Sequence, residues 1–211
     1  MDTMRSASPD GDATQSQAVL PQMLSHAAFI SRDTAATVEF FTKVLGMEFV
    51  AAVLNDQIPS TGEVVPYFHS FFRMADGSTI AYFEAPDLPP IPDPPHPAYD
   101  TFRHFAMEVS TVGQVDAWHA RLVAHDVEVL GPVDHGFLLS IYFFDRINDI
   151  RLELTVPLEA DWNDRGDVAH HDLDAWVETK EKAIAEGRDV GLALRELVAK
   201  RKAAGPVKSL D

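Results

Sequence analysis

The chain has 211 residues, of which 46% are hydrophobic, so it can bury a sizeable core. Its 33 acidic residues outnumber its 17 basic ones, and the net charge of −16 argues against binding to nucleic acid or to an anionic membrane surface. The absence of cysteine excludes disulfides, thiolate metal sites and a cysteine nucleophile, so any metal must bind to histidine and carboxylate side chains.

The sequence contains no apolar stretch of the roughly 18 residues that a membrane span needs, and its N-terminus has no apolar segment typical of a secretory signal. We therefore expect a soluble, cytoplasmic protein. Residues 1–20 show no hydrophobic periodicity, which predicts a flexible N-terminal tail.

The first structured segment is predicted from residue 21. "MLSHAAFIS" is typical of a strand, and "RDTAATVEFFTKVLG" of a helix that begins at Ser31 or Asp33 and ends at Gly46. Three further strands are predicted in "MEFVAAVLN", "YFHSFFRM" and "TIAYFEAP", the last two joined by an Asp-Gly turn.

A proline-dense stretch, "PDLPPIPDPPHPAYD", then predicts an extended linker without regular structure. After it the pattern restarts with a strand in "FRHFAMEVS", a helix in "TVGQVDAWHARLVAHD", a strand in "VEVLGPV", and a hairpin formed by "LLSIYFFD" and "IRLELTV". The remaining residues, 158–211, predict a helical extension in which Gly187 separates two helices.

The two halves form an internal repeat. Placing His26 on His104, an offset of 104 − 26 = 78, aligns "HAAFIS" with "HFAMEV" and puts Phe40 on Trp118 and Val44 on Leu122. Each half then has the element order β-α-β-β-β. The predicted fold class is α+β, with two such modules over residues 21–88 and 101–157, followed by the C-terminal helices.

Three polar residues lie among apolar neighbours in predicted strands: His26, His104 and Glu153. Leu152 and Leu154 flank Glu153, and because neighbouring side chains of a strand point to opposite faces, covering the leucines sends the glutamate to the other face. Each residue alone could be structural. Together, two imidazoles and one carboxylate suit non-heme Fe(II) or another divalent ion, which would offset the cost of burying the carboxylate.

The sequence also resembles the vicinal-oxygen-chelate superfamily, which includes glyoxalase I, bleomycin and fosfomycin resistance proteins and type I extradiol dioxygenases. "EFFTKVLGMEF" is similar to the helix signature of that superfamily, and "SIYFFDRINDIRLEL" to its closing hairpin. The resemblance covers about residues 23–157. It implies paired βαβββ modules and places His26, His104 and Glu153 at the metal-ligand positions of the family.

Two departures from the family pattern bear on the reaction. The closing hairpin has "DRIND" in place of a turn with proline and glycine, and Ala81 occupies the position of the fourth ligand of glyoxalase I. Glu84, three residues further along the strand, has the opposite strand parity. A three-ligand site resembles that of the dioxygenases, and Tyr142 resembles their catalytic tyrosine.

Other residues are expected near the substrate. His135, in "VDHGF", could act as an acid or base or contact the substrate, although a surface turn histidine is the alternative. His69 is expected to point into the concave face of the first module. Aromatic side chains are expected to line the cavity and to favour an aromatic ligand; the candidates are Phe71, Tyr82 and Phe105.

The resemblance favours a ring-cleaving dioxygenase that uses Fe(II) and O2 on a catechol-like substrate, in a homodimer or higher homo-oligomer. Mn, Zn, Ni or Co could replace the iron. Three alternatives remain: a metal-dependent lyase or isomerase of the glyoxalase type, a metal-free protein that binds a small molecule as bleomycin resistance proteins do, and a structural protein whose C-terminal helices are the working surface.

Overall fold

The computed structural model describes residues 21, 23–92, 94 and 96–205, so the predicted tail over residues 1–20 lies outside it. The chain divides into two compact units, and the division falls after Pro92, within the proline-dense stretch. Each unit contains one four-stranded sheet. The observed architecture is α+β, and its two halves repeat the element order that the sequence predicts.

The first unit is a mixed sheet with one helical segment. Its elements are β1 (His26–Ile30), α1 (Thr34–Glu39), β2 (Glu48–Asn55), β3 (Tyr67–Arg73) and β4 (Thr79–Glu84). The strand order is β1-β4-β3-β2, with β1 parallel to β4 and the other neighbours antiparallel. Asp33 caps α1, because its Oδ1 atom accepts a hydrogen bond of 2.9 Å from the backbone N–H of Ala36.

The predicted first helix is not α-helical throughout. At Phe40 it passes into a π-helical turn, Phe40–Val44, before the chain reverses at Gly46 with φ of 70°. Phe40 and Phe41 are both buried. The ring of Phe41 stacks on Phe72 at 4.8 Å and lies 5.1 Å from that of Tyr82, so the core of this unit is aromatic.

The second unit begins with a short helix at the end of the proline-dense stretch, where the sequence predicted no regular structure. Pro97 precedes α2 (Ala98–Phe102), a position at which the missing N–H of proline is no loss. The following elements are β5 (His104–Glu108), α3 (Val112–Ala124), β6 (Val129–Asp134), β7 (Leu138–Asp145) and β8 (Ile150–Pro157). The strand order β5-β8-β7-β6 repeats that of the first unit.

One face of the second sheet is apolar and packs on α3. Val115 and Leu122 of α3 and Leu152 of β8 are fully buried, and Leu154 is 4% exposed. Because β8 alternates, the side chains of Arg151 and Glu153 lie on the opposite face.

The β7–β8 hairpin closes without proline or glycine because an aspartate organises its loop. Asp145 is fully buried; its Oδ1 atom accepts from the backbone N–H of Ile147 at 3.0 Å, and its Oδ2 atom accepts from Nδ2 of Asn148 at 2.7 Å. Asp149 takes the left-handed conformation, with φ of 55°. Burial raises the pKa of the Asp145 carboxyl, although its hydrogen bonds oppose the shift.

The C-terminal residues form the two helices that the sequence predicts, α4 (Gly166–Ala185) and α5 (Val190–Ala204), which pack on each other. Gly187, between them, has φ of 64°. Asp189 caps α5 by accepting a hydrogen bond of 2.6 Å from the N–H of Leu192. In the part of the chain that the structure describes, no helix is long and apolar enough to cross a membrane.

Candidate metal and substrate site

The second unit brings together two of the three predicted ligands, His104 and Glu153. In the parallel pairing of β5 with β8, His104 lies beside Arg151 and Ala106 beside Glu153, so the imidazole and the carboxylate share one face. Nε2 of His104 lies 2.9 Å from Oε2 of Glu153. The glutamate side chain is 6% exposed and the histidine side chain 33%, so the pair is reached from the histidine side.

The other nitrogen of His104 is also engaged. Its Nδ1 atom lies 3.1 Å from the carbonyl oxygen of Phe102, to which a ring protonated at Nδ1 donates. Nε2 is then the ring nitrogen that faces Glu153, at hydrogen-bond distance from its carboxylate. Histidines that bind metals in proteins are usually oriented in this way, with the second nitrogen donating to a carbonyl or carboxylate. The donor pair therefore fits a divalent cation.

Tyr142 lies next to this pair. It is directly opposite Glu153 in the β7–β8 pairing, and its ring lies 6.0 Å from that of His104. Its hydroxyl is 2.8 Å from Nε2 of His135, which belongs to the turn between β6 and β7. Burial, and then the negative charge of Glu153, raise the pKa of the Tyr142 phenol, so the phenol stays protonated at neutral pH.

Arg151 also belongs to this group of side chains, and the sequence analysis missed it. Its guanidinium carbon lies 4.1 Å from the centroid of the Tyr142 ring, and its Nη1 atom donates to the carbonyl oxygen of Thr101 at 2.5 Å. The signal was available, because a residue two positions before Glu153 on the same strand must lie on the same face. Arg151 adds a positive charge beside the carboxylate.

The corresponding face of the first unit carries His26 and His69. The His26 ring lies 6.0 Å from that of His69 and 5.6 Å from that of Phe71. The His69 ring stacks on Phe83 at 3.5 Å with an interplanar angle of 17°. His26 is exposed, whereas His69 is only 8% exposed. Burial, with a smaller contribution from the nearby His26, lowers the pKa of His69, so its ring is neutral at neutral pH.

Strand register shows which residue of the first unit occupies the position equivalent to Glu153. Ala28, two residues after His26, pairs with Ala81, just as Ala106, two residues after His104, pairs with Glu153. Glu84 faces the helix instead, where its Oε2 atom accepts a hydrogen bond of 2.6 Å from the N–H of Thr34 at the start of α1. This carboxylate stabilises a helix end.

Two of the aromatic residues proposed for the substrate lie on the wrong face for that role. Tyr82 is fully buried in the core beside Phe41, with strand parity opposite to that of His69 and Phe71. Phe105 pairs with Leu152 and shares the face opposite His104. We therefore remove Tyr82 and Phe105 from the candidate substrate site. Alternation along the strand accounts for both corrections.

Among the described residues, no group of three or more His, Cys, Asp or Glu side chains is arranged to hold a metal ion. His26 belongs to the first unit, and His104 and Glu153 to the second. Two of the predicted ligands thus form a pair, and the assignment of all three to one ion stays a prediction.

Residues 23–154 match the model of the Glyoxalase/Bleomycin resistance protein/Dioxygenase superfamily. The match covers more than half of the chain, and the chain belongs to this superfamily, as the repeated βαβββ units indicate. The superfamily includes many enzymes, and proteins of this superfamily use divalent metals.

The fold is also that of a solved structure of low sequence identity, and two further structures are similar to parts of the chain. A glyoxylase/bleomycin resistance protein/dioxygenase domain from Frankia sp. EAN1pec is 18% identical with a TM-score of 0.52, over 65% of this chain and 99% of that chain. A mutant of the fosfomycin resistance protein FosX from Listeria monocytogenes is 22% identical with a TM-score of 0.44, over 65% of this chain and 94% of that chain. That structure is a complex with Mn(II) and 1S,2S-dihydroxypropylphosphonic acid.

The antibiotic binding protein TnmS3 from Streptomyces sp. CB03234 is 18% identical with a TM-score of 0.46, over 66% of this chain and 98% of that chain. No curated protein sequence matches the chain.

Proposed function

We propose that the protein is a metal-dependent, ring-cleaving dioxygenase that acts on a catechol-like aromatic compound. In this proposal His26, His104 and Glu153 are the ligands of a divalent iron. The observation that carries the proposal is the group formed by His104, Glu153, Tyr142 and His135 on one face of the second sheet, with contacts of 2.9 Å and 2.8 Å.

The ligands would supply a site of two neutral imidazoles and one carboxylate, a donor set that leaves coordination positions open and suits non-heme Fe(II). Iron bound by these residues would supply the redox chemistry of a reaction between O2 and a catechol. The overall reaction breaks one carbon–carbon bond of the ring and places both oxygen atoms of O2 in the product, so it needs no external reductant.

The protein side chains would manage protons at the substrate oxygen. The Tyr142 hydroxyl would donate a hydrogen bond to that oxygen. His135, 2.8 Å away through Nε2, can accept the phenol proton and return it. Arg151, stacked on the phenol ring, favours an oxygen that carries negative charge.

The test is O2 uptake by protein loaded anaerobically with Fe(II), measured with a panel of catechols beside Glu153→Ala. We expect one O2 consumed per substrate cleaved, both oxygen atoms in the ring-opened product, and loss of iron and uptake in the variant. Bound iron without O2 consumption by any catechol would contradict the proposal, and so would a variant that holds iron as well as the parent does.

A second candidate is a protein that binds a small aromatic compound without metal. It is favoured by the aromatic surroundings of His69, where Phe71 and Phe83 lie within 4.0 Å and 3.5 Å between ring centroids. Equal affinity for a catechol with and without a chelator, measured calorimetrically, would support this candidate against the dioxygenase.

A further inference from the structure

The C-terminal hairpin of α4 and α5 buries little of its apolar surface. In the part of the chain that the structure describes, each of these helices packs chiefly on the other. Their fully covered residues are small, Ala183 in α4 and Ala193 in α5. Because most helical stability in proteins comes from the packing of an apolar face, the hairpin alone lacks its main source of stability.

The larger apolar side chains of α4 form an exposed stripe. Leu173 is 54% exposed, Trp176 44% and Ile184 62%. At 3.6 residues per turn, positions 173, 176, 180 and 184 lie on one side of a helix. Lys180 falls within the stripe, where its long stem can lie along apolar surface while its ammonium reaches water.

An ion pair between the helices shows where α5 lies relative to this stripe. Nη2 of Arg201, near the end of α5, lies 2.5 Å from Oδ1 of Asp172, near the start of α4, so the helices are antiparallel. With Asp172 and Arg201 at the seam, helical spacing places Val198, which is 40% exposed, on the same side of the hairpin as the α4 stripe. We call Leu173, Trp176, Ile184 and Val198 the apolar face.

The two helices carry opposite charges. The range of α4 contains five acidic and two basic residues, a net charge of −3, and that of α5 contains four basic and one acidic, a net charge of +3. By the same spacing, Asp174 and Glu181 border the apolar face on the side of α4 away from α5, and Arg195 and Lys202 border it on the side of α5 away from α4. The face therefore has one acidic and one basic outer edge.

We propose that the apolar face binds the same face of a second copy of the chain, and that the two hairpins form a four-helix bundle about a two-fold axis parallel to the helices. This axis places α4 of each copy against α5 of the other, so an acidic edge meets a basic edge twice. A two-fold axis across the helices would instead place α4 against α4 and bring like charges together.

The charged edges also match in height along the bundle. A two-fold axis parallel to the helices keeps each residue at its own level, and the pairing of Asp172 with Arg201 shows which levels coincide. Asp174 then lies near the level of Lys202 of the second copy, and Glu181 near that of Arg195. None of these four side chains forms a salt bridge with another residue that the structure describes, so all four are free to pair between copies.

The first test measures the mass of the full chain by light scattering and the dissociation constant by sedimentation equilibrium. We expect a dimeric parent, and Val198→Glu should raise the dissociation constant at least about 100-fold, because a carboxylate would be buried against apolar side chains. Ile184→Glu, on the other helix, should do the same. Leu192→Glu is the matched control: Leu192 is 49% exposed on α5 but lies about 120° around the helix from Val198, so this variant should remain dimeric.

A charge exchange tests the orientation of the two copies. Reversal of the basic edge, Arg195→Glu with Lys202→Glu, should dissociate the dimer, because two acidic edges then meet. Addition of Asp174→Lys and Glu181→Lys exchanges the two edges and should restore the dimer. This recovery distinguishes pairing between copies from a loss of folding, since a chain that cannot fold would not recover through two further surface changes.

Each result supports or overturns the inference. A parent that is monomeric at every concentration measured overturns it, and so does a dimer that both Val198→Glu and Ile184→Glu leave intact. Failure of the charge exchange to restore the dimer overturns the parallel two-fold axis. The inference is independent of the proposed function, because iron binding and O2 uptake can be lost or retained without changing the mass of the particle.

Discussion

Ala81 and Glu153 occupy the same register position in the two units, each paired across parallel strands with the residue two positions after a histidine. One position holds a methyl group and the other a nearly buried carboxylate. The repeat therefore preserves the backbone arrangement of the site while only one half retains the acid, and this asymmetry underlies the first prediction.

Two glutamates on equivalent strands are expected to respond differently to the same change. Glu153→Gln removes the charge that faces Nε2 of His104, and we expect the affinity for Fe(II) or Co(II) to fall at least about a hundredfold. Glu84→Gln keeps an acceptor for the N–H of Thr34, so it should cost less than about 1 kcal/mol of stability and leave metal affinity unchanged. Equal losses of metal affinity in both variants would contradict the assignment.

Tyr142→Phe removes the hydroxyl that lies 2.8 Å from His135 without altering the ring packing on Arg151. We expect iron content to stay at the level of the parent and turnover of a cleaved catechol to fall about 10²–10⁴-fold, the range for loss of general acid–base assistance. Single-turnover measurements under O2 separate this effect from substrate binding. A variant with full turnover would show that the phenol does not manage a proton.

The buried carboxyl of Asp145 predicts a pH dependence of stability. Burial raises its folded-state pKa above the ordinary value of 3.8. The contribution of this carboxyl to the free energy of unfolding is therefore fully present below pH 3.8, and it is lost as the pH rises through the folded-state pKa. As the pH rises through this range the parent is expected to lose stability, whereas Asp145→Asn is not. The difference between their free energies of unfolding should therefore grow and then stay constant at higher pH. Urea unfolding at a series of pH values measures it.

The control for Asp145 is Asp149→Asn in the same loop. Asp149 is exposed, and asparagine tolerates its φ of 55°. Because the charge of Asp149 is the smallest of the causes that shift the pKa of Asp145, this variant should keep most of the pH dependence of the parent. If Asp145→Asn also runs parallel to the parent, the buried carboxyl does not control the acid-side stability.

Gly131 is predicted to be the least replaceable glycine near the site. It has φ of 118°, and a Cβ atom there would lie 2.8 Å from the carbonyl oxygen of Ser140 and 3.1 Å from the N of Val133. We expect Gly131→Ala to destabilise the fold by roughly 3 kcal/mol, through backbone strain and a clash with β7. Denaturant unfolding gives the value.

Gly77→Ala separates backbone strain from the steric clash as causes of the destabilisation. Gly77 also has positive φ, at 89°, but a Cβ atom there meets nothing within 4 Å. This variant carries the conformational cost alone, about 1 kcal/mol, so it should be clearly milder than Gly131→Ala. Similar losses in both variants would indicate that the contact with Ser140 contributes nothing.

The fold was largely predictable because strand alternation and the repeat are local properties of the sequence. Leu152, Glu153 and Leu154 show this directly, since the two leucines lie in the core and the glutamate on the other face. The pairing of His104 with Glu153 followed from the same reasoning together with the family resemblance. The position of Ala81 followed from alignment with the family, and parity separated Glu84 from it.

The sequence analysis misplaced two residues that strand parity could have placed, and it missed features that depend on backbone geometry or on three-dimensional packing. Tyr82 and Phe105 were assigned to the cavity on chemical type, although their parity sends them to the core. The π-helical turn at Phe40 has no pattern in the sequence that distinguishes it from an α-helix. The buried Nε2 atom of His69, which has no hydrogen-bond partner among the described residues, emerges only from three-dimensional packing.

Arg151 places a positive charge against the Tyr142 ring in a protein whose overall field repels anions. A catecholate or carboxylate that approaches from solution is repelled at long range by the net charge of −16, and is attracted only within the last few ångströms. Added salt screens the repulsion more than the short contact. Encounter rates of anionic ligands are therefore expected to rise with ionic strength, opposite to the behaviour of proteins that steer their ligands electrostatically.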